Sequence, residues 1–439
     1  MPFVFTNMFF LLLGLGFVLL SMAWVGREFL LIAILYDAAL IGSAVVDYFL
    51  TERNDRIDVE RRADERMSLG ADNDVVVQVT NRARRPLAIR AKDEYPHAMR
   101  LNGSREASLR IRSGGTAEFG YALHPTTRGS YGFGDVLGRV RGTLGLVWRQ
   151  VRWPAARDVR VYPNIREAKK NELYAFRNKQ LRLGQRRMRI KGQGREFESM
   201  REFVNGDEIH HISWTASARR GKLITREYTV ERSQNVMIML DTGRLMTARI
   251  GDLTKLDHAI NAALSIAFVA LAGHDNVGML TFSRKVLTYL PPSHTRDQLP
   301  AILEALYAIE PAMIEPSYAR AFNHLGTACR RRSLVIILTD LVDEEASAEL
   351  LAYTRLLIPR HLPLIVTIGD SDLRAVVSDV PATVADVYRQ SVAEELLRQR
   401  EAALRRITHA GGLALDVPVG RLSLSLVNKY LEVKERGML

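Results

Sequence analysis

Two aspartates stand where apolar runs stop. Val236 to Leu240 leads into Asp241-Thr242-Gly243-Arg244-Leu245, and Leu334 to Leu338 leads into Thr339-Asp340. Short apolar runs alternating with helical patterns read as buried parallel strands, and sheets of that kind bind ligands at the carboxyl ends of their strands. Carboxylates atop neighbouring strands offer the oxygen donors that a hard divalent cation such as Mg²⁺ takes. The same two groups have a plainer use at helix N-termini, where a carboxylate caps free N–H groups. Asp343, Glu344 and Glu345 follow closely, so the strand-end rule gathers them with Asp241 and Asp340 on one acidic rim of a chain whose formal net charge is +12. An acidic rim in a basic chain suits a protein partner, because complementary charge steers encounter and fixes register.

Enzyme motifs give little support to a catalyst. There is no Gly-x-x-x-x-Gly-Lys-Ser/Thr, no Gly-x-Ser-x-Gly and no His-Glu-x-x-His, and Gly192-x-Gly194 follows a basic run where a phosphate-binding loop would follow a buried strand. His210 and His211 are adjacent, so they diverge on a strand or a helix and chelate poorly. The lone cysteine, Cys329, cannot form an intramolecular disulfide or a thiolate-rich zinc site, and it fits a reducing compartment. A metal-dependent hydrolase built on Asp241 and Asp340 is the enzymatic alternative; the sequence otherwise reads as non-enzymatic, with no cofactor beyond a weakly held Mg²⁺.

These strand ends need elements to position them. From about Asn235 to the end, apolar runs and helical patterns alternate, the signature of an α/β doubly wound sheet of five or six strands. Upstream, short alternating runs such as 75–79, 87–90, 107–111 and 117–121 read as antiparallel strands of a β-sandwich. Arg128 to Gly134, rich in glycine and aromatics, reads there as turn and packing chemistry. Between the two, residues 166–195 carry eleven basic and two acidic side chains. That stretch could grip nucleic-acid phosphates, but the anionic leaflet of a membrane explains it better and specific nucleic-acid binding is not expected.

The first fifty residues are of another kind. Their only charged side chains are Arg27, Glu28, Asp37 and Asp47. Phe3 to Trp24 is an uncharged run of 22 residues, long enough at about 1.5 Å per residue to cross a bilayer core of roughly 30 Å, and Phe29 to Leu50 is as long. The short link allows only a helical hairpin. Asp47 lies near enough to the end to reach the interface, whereas Asp37 lies deep and should pack inward. Arg53, Arg56, Arg61, Arg62 and Arg66 follow the second span against one arginine in the link, so the soluble part is expected to face the cytoplasm. The expected domains are a transmembrane hairpin (1–52), a β-rich sandwich (53–165), a basic and charged block (166–234) and the α/β domain (235–439).

Two resemblances refine this reading. The sheet resembles a von Willebrand factor type A domain, whose metal-ion-dependent adhesion site uses Asp-x-Ser-x-Ser after the first strand, a later Thr, and an Asp after a central strand. Asp241 and Asp340 match; the serine positions hold Gly243 and Leu245, and Ser317 is the one hydroxyl near the expected Thr. The block from Gly192 to Lys222 resembles the signature of the bacterial "domain of unknown function 58" family, with Gly194, Glu196, Phe197, Arg201, Gly206, Asp207, Trp214, Ser217, Arg219, Arg220 and Lys222 as its marks. Ser213 stands where that family often has Asp, which removes a carboxylate. The resemblance implies partnership with a MoxR-type AAA+ ATPase, hence a membrane-anchored adaptor or assembly factor. Read physically, the opposed charges of the block favour a hydrogen-bonded scaffold or a docking surface.

Overall fold

The computed structural model describes residues 3–24, 26–52, 54–164, 196–204, 209, 212–229, 233–341, 344–369 and 371–438. The chain forms two compact units, Met1–Asn164 and Ile165–Leu439.

The first unit opens with a short strand, β1 (Phe3–Phe5), followed by helix α1 (Asn7–Ser21), a 3-10 turn (Met22–Trp24) and helix α2 (Arg27–Leu50). The uncharged run therefore is not one helix. Thr6 stops the strand and starts the helix: its hydroxyl caps Phe9 N at 3.3 Å and donates to Gly145 O at 2.7 Å. With 15 residues, α1 extends only about 22 Å, short of a bilayer core. The 24-residue α2 is long and apolar enough to cross a membrane. Phe17, Leu35 and Phe49, each at least 69% exposed, show how apolar the outer faces of the two helices are.

Asp37 does face inward, against α1 at Gly16; a Cβ on Gly16 would lie 2.2 Å from its Oδ1, so only glycine leaves room. Asp47 corrects the sequence reading. It is fully buried and accepts Leu144 N (2.7 Å), Leu146 N (2.8 Å) and Val147 N (3.2 Å), because a carboxylate at a helix end finds three free backbone donors in the turn beneath it.

Eleven further strands build the rest of this unit: β2 (Ile57–Ala63), β3 (Arg66–Ser68), β4 (Asn73–Asn81), β5 (Leu87–Asp93), β6 (Arg100–Asn102), β7 (Glu106–Ile111), β8 (Thr116–His124), β9 (Gly129–Phe133), β10 (Val136–Arg141), β11 (Val147–Trp153) and β12 (Arg157–Tyr162). They form sheets ordered β1-β11-β10-β5-β7, β2-β4-β8-β6 and β3-β12-β9. Period-2 alternation puts Val75, Val77 and Val79 of β4 and Ile89 and Ala91 of β5 inside. A buried polar tie joins the first two sheets: Arg61 Nε and the Tyr121 hydroxyl both donate to Asp93, at 2.9 and 2.6 Å. The Gly- and aromatic-rich segment expected as a turn is β9, paired antiparallel with β12.

In the second unit β13 (Glu196–Glu202) pairs with β14 (Ile224–Thr229), and helix α3 (Trp214–Arg220) lies between them in sequence. The α/β sheet follows: β15 (Asn235–Asp241), a two-stranded ribbon of β16 (Arg249–Ile250) and β17 (Leu253–Thr254), helix α4 (Lys255–Ala272), β18 (Asn276–Phe282) and β19 (Val286–Ser293). Then come α5 (Gln298–Tyr307), α6 (Tyr318–Ala328), β20 (Ser333–Thr339), α7 (Glu344–Leu357), β21 (Leu362–Gly369), α8 (Ser371–Ser378), α9 (Val384–His409), β22 (Leu413–Pro418) and α10 (Leu422–Glu435).

The strand order is β19-β18-β15-β20-β21-β22, with every pair parallel except β18–β19. The antiparallel edge strand β19 was not evident in the sequence, where Pro291 and Pro292 interrupt its alternation; prolines are tolerated at an edge because an edge strand leaves donors unused. Both faces of the sheet are covered. Val236, Ile238 and Leu240 pack with α4, α5 and α10, while Met237 and Met239 pack with α6, α7 and α9. Burial on both sides is why these strands read as unbroken apolar runs.

Candidate functional site

The strand order reverses direction between β15 and β20, so Asp241 and Asp340 emerge side by side at the switch point, where open sheets place ligands. Neither is on a rim. They are 1% and 3% exposed. The reason is the segment that covers them: Ala312 N donates to Thr242 O at 2.8 Å and Arg244 N to Ile314 O at 2.9 Å, strapping residues 312–316 over the end of β15. Gly243 is required by this strap, since a Cβ there would stand 2.8 Å from Pro316 Cδ and 3.0 Å from Ile314 O.

The chain supplies the cations itself. Lys255, first residue of α4 and 7% exposed, donates from Nζ to Asp340 Oδ2 at 2.6 Å. Arg400, from the middle of α9, reaches Asp340 Oδ1 at 2.8 Å and Asp416 Oδ1 at 3.0 Å, and also donates to the Leu341 and Ile368 carbonyls. Asp416 receives Thr367 Oγ1 at 2.9 Å and Arg374 at 3.0 Å. Buried ions persist where they are paired and their remaining lone pairs are bonded, and this cluster meets both conditions.

Asp241 is held by neutral groups: Thr339 Oγ1 donates at 2.7 Å, Gly243 N at 2.7 Å and the Tyr318 hydroxyl at 3.3 Å. Burial pushes its carboxyl up to about 6, against those three hydrogen bonds and with help from the Asp340 charge. Burial, followed by the Asp241 charge, drives the Tyr318 hydroxyl well above its ordinary range.

This donor set does not fit a divalent cation. Asp340 is occupied by an ammonium and a guanidinium, Gly243 and Leu245 bring no oxygen side chain, and Ser317 makes no bond to either aspartate; its neighbour Tyr318 reaches Asp241 instead. The part of the expected rim that the structure describes is corrected: Asp241 and Asp340 are buried, held by neutral donors and by cations respectively, and are not exposed at a rim. Asp343 lies outside the described residues, and Glu344 and Glu345 open α7. Among the described residues Asp340 accepts Leu341 N at 2.9 Å in the turn after its strand, and α4 is capped by Thr254 and Asp257.

Sequence reasoning missed Lys255, Arg400, Asp416 and Tyr318. For Arg400 a signal exists. It falls on the buried stripe Ala393, Ala403 and Ile407 of α9, where the helical period demands an apolar residue.

The signature block makes a second, separate feature. Ser217 is its anchor: its Oγ donates to Ser213 O and accepts Ile224 N, both at 2.9 Å, pinning α3 to β14. Gly221 closes the helix in the left-handed region at φ 66°. On the outside Trp214 is 65% exposed, and Arg219 and Arg220 are exposed in the last turn of the same helix. The expected network of opposed charges is thin among the described residues, where Lys222 meets Glu202 at 3.0 Å on the surface and Arg201 bonds the Glu202 carbonyl. Glu196 and Phe197 lie on β13; Gly194, Gly206, Asp207, His210 and His211 lie outside the described residues, as does the basic stretch 166–195.

Comparison with known proteins follows these features. Residues 199–407 match the family model described as "Protein of unknown function DUF58". That range runs from within β13 to within α9; it takes in the signature block from Ser199 onward and Lys255, Asp340 and Arg400 of the ion cluster, but not Asp416. Two uncharacterized mycobacterial proteins, Mb1516 of Mycobacterium bovis and Rv1480 of Mycobacterium tuberculosis, are each 24% identical over 264 residues, covering 57% of this chain and 83% of theirs. Among solved structures, the CARDB domain of PF1109 from Pyrococcus furiosus is similar over 24% of this chain and 86% of its own at 15% identity and a TM-score of 0.17. Proximal thread matrix protein 1 from the mussel byssus is similar over 44% and 46% at 12% identity and a TM-score of 0.29. Scores of this size do not establish a shared fold.

Proposed function

We propose that the protein is a non-enzymatic adaptor or assembly factor of the bacterial inner membrane, held by its N-terminal helices. It carries a von Willebrand factor type A-like domain in the cytoplasm and works with a MoxR-type AAA+ ATPase. The strand order with one antiparallel edge supports the type A-like assignment. The closed, self-neutralised strand ends argue against the metal-dependent hydrolase. One observation carries the docking reading: Trp214 is 65% exposed on a helix that also bears Arg219 and Arg220, and Trp and Arg are the residue types enriched where interfaces concentrate their energy.

The docking site thereby moves from the strand ends to α3. In detergent, immobilised full-length chain should capture the purified ATPase, and Trp214→Ala with Arg219→Glu should lower capture at least tenfold, since hot-spot truncations cost about 2 kcal/mol or more. Undiminished capture by a variant with the wild-type melting midpoint would remove α3 as the docking site. No capture by the wild type would remove the ATPase.

A further inference from the structure

The outer face of the sheet β1-β11-β10-β5-β7 carries exposed arginines with no salt bridge among the described residues; Glu106, already paired with Lys92, is the carboxylate that feels the Arg139 charge. Arg139 of β10 stands directly opposite Arg90 of β5, and Arg141 of β10 stands opposite Trp148 of β11. Arg110 of β7 lies across from Ala88 of β5, in the row that Arg141 begins. All four arginines are exposed, and none forms an ion pair with a carboxylate among the described residues. The Arg90 guanidinium rests over the Trp148 ring at 4.9 Å, which leaves its donors open. A cleft of about 670 Å³ opens on this face, lined in part by Arg90, Lys92, Arg105 and Arg139. Its carboxylates are Glu94 and Glu106, and Glu106 is taken by Lys92 at 2.9 Å. Like charges placed directly opposite across two strands destabilise a sheet. A pair of arginines held so, without an acid between them, fits an anion shared from outside.

The same sheet says where that anion comes from. Its edge strand is β1, which runs through Thr6 straight into α1, and Val4 of β1 is paired with Trp148 on the arginine-bearing face. Arg141 and Trp148 flank the turn 142–147 whose backbone donors Asp47 of α2 collects. Leu144 at the tip of that turn is 53% exposed. The row containing Arg141, Trp148 and Arg110 therefore lies at the ends of the apolar helices, and Arg139 and Arg90 lie two residues further along their strands, about 7 Å away. Arginine and tryptophan at the end of an apolar helix are the residues that meet lipid headgroups.

We propose that this face is a binding platform for anionic phospholipid headgroups, with Arg90, Arg110, Arg139 and Arg141 on the phosphates and Trp148 at the level of the interface. The platform rests on the membrane-anchored reading, adds a contact that reading does not require, and is independent of the 166–195 stretch. Full-length chain in an uncharged detergent tests it. Phosphatidylglycerol mixed into the micelles should raise the melting midpoint by several degrees, phosphatidylcholine and inorganic phosphate should not, and high salt should erase the rise. The variant Arg90→Ala/Arg139→Ala/Arg141→Ala should melt like the wild type without lipid and lose most of the rise. Equal response to both lipids, an undiminished rise in the variant, or an equal rise with inorganic phosphate or a short DNA duplex would overturn the platform. Carbonate extraction of native membranes separates the two claims: a retained chain that ignores phosphatidylglycerol refutes the platform alone, and a released chain refutes the anchor on which it rests.

Discussion

Arg400 and Arg139 are the same residue type in opposite circumstances. Arg400 is 7% exposed and spends its donors on two carboxylates and two carbonyls; Arg139 is exposed and faces another arginine. Where charge is buried in this protein, the chain completes the bonding itself, and the result is structure. Where charge is left open, as at Arg139 and Arg90, the donors stay available to solvent or a ligand. The acidic strand ends that looked functional belong to the first kind, and the sandwich sheet that looked inert belongs to the second.

Breaking the buried side should have the largest effect. Arg400→Met leaves Asp340 with Lys255 and Asp416 with Arg374 but removes the cation shared by both, and should cost on the order of 3 kcal/mol, read as a lower midpoint in urea unfolding of the α/β unit's fluorescence. A loss under about 1 kcal/mol would mean that the cluster is wetter than its burial implies.

A pH experiment sharpens the same comparison. Because the Asp241 carboxyl is raised to about 6 in the folded chain, from an ordinary value of 3.8, the folded state binds the proton more tightly than the unfolded one. Its favourable contribution is complete below about pH 4 and disappears as pH rises through 6, an effect on the order of 3 kcal/mol. Asp241→Asn should remove that slope between pH 4 and 6, measured as melting midpoint against pH for the two proteins. Parallel slopes would show that Asp241 does not titrate there.

The smallest effect is expected on the open side. Arg139→Gln relieves the opposition with Arg90, so without lipid it should leave stability unchanged or raise it by a few tenths of a kcal/mol. A clear loss would mean that Arg139 has a structural partner.

What the sequence disclosed follows from periodicity. The β15 and β20 runs and the aspartates after them were legible because burial on both faces leaves an unmistakable apolar block. Partners drawn from distant elements were not: Lys255 and Arg400 come from helices, 85 residues apart from Asp340 in one case and 60 in the other, and pair with it only once the sheet is wound. The hairpin shows the opposite failure. Composition marked Phe3 to Trp24 as one apolar run, but apolar residues serve a sheet edge as well as a helix, and Phe3–Phe5 pair with Val147–Arg149 while α1 takes 15 of the residues that follow. The run 87–90 was legible as a strand, yet the confrontation of Arg90 with Arg139 depends on register, which no single strand encodes.

The joint between β1 and β11 also has a history. Thr6 bonds to Gly145 across 139 residues, so the first strand to be synthesised waits for its partner. At ordinary rates of translation that wait lasts on the order of ten seconds. Throughout it Phe3–Phe5 is an unpaired strand attached to two apolar helices. Once β11 arrives, the pairing closes the edge of the sheet and ties the start of α1 to the sandwich, so the first helix and the sheet can shift only together.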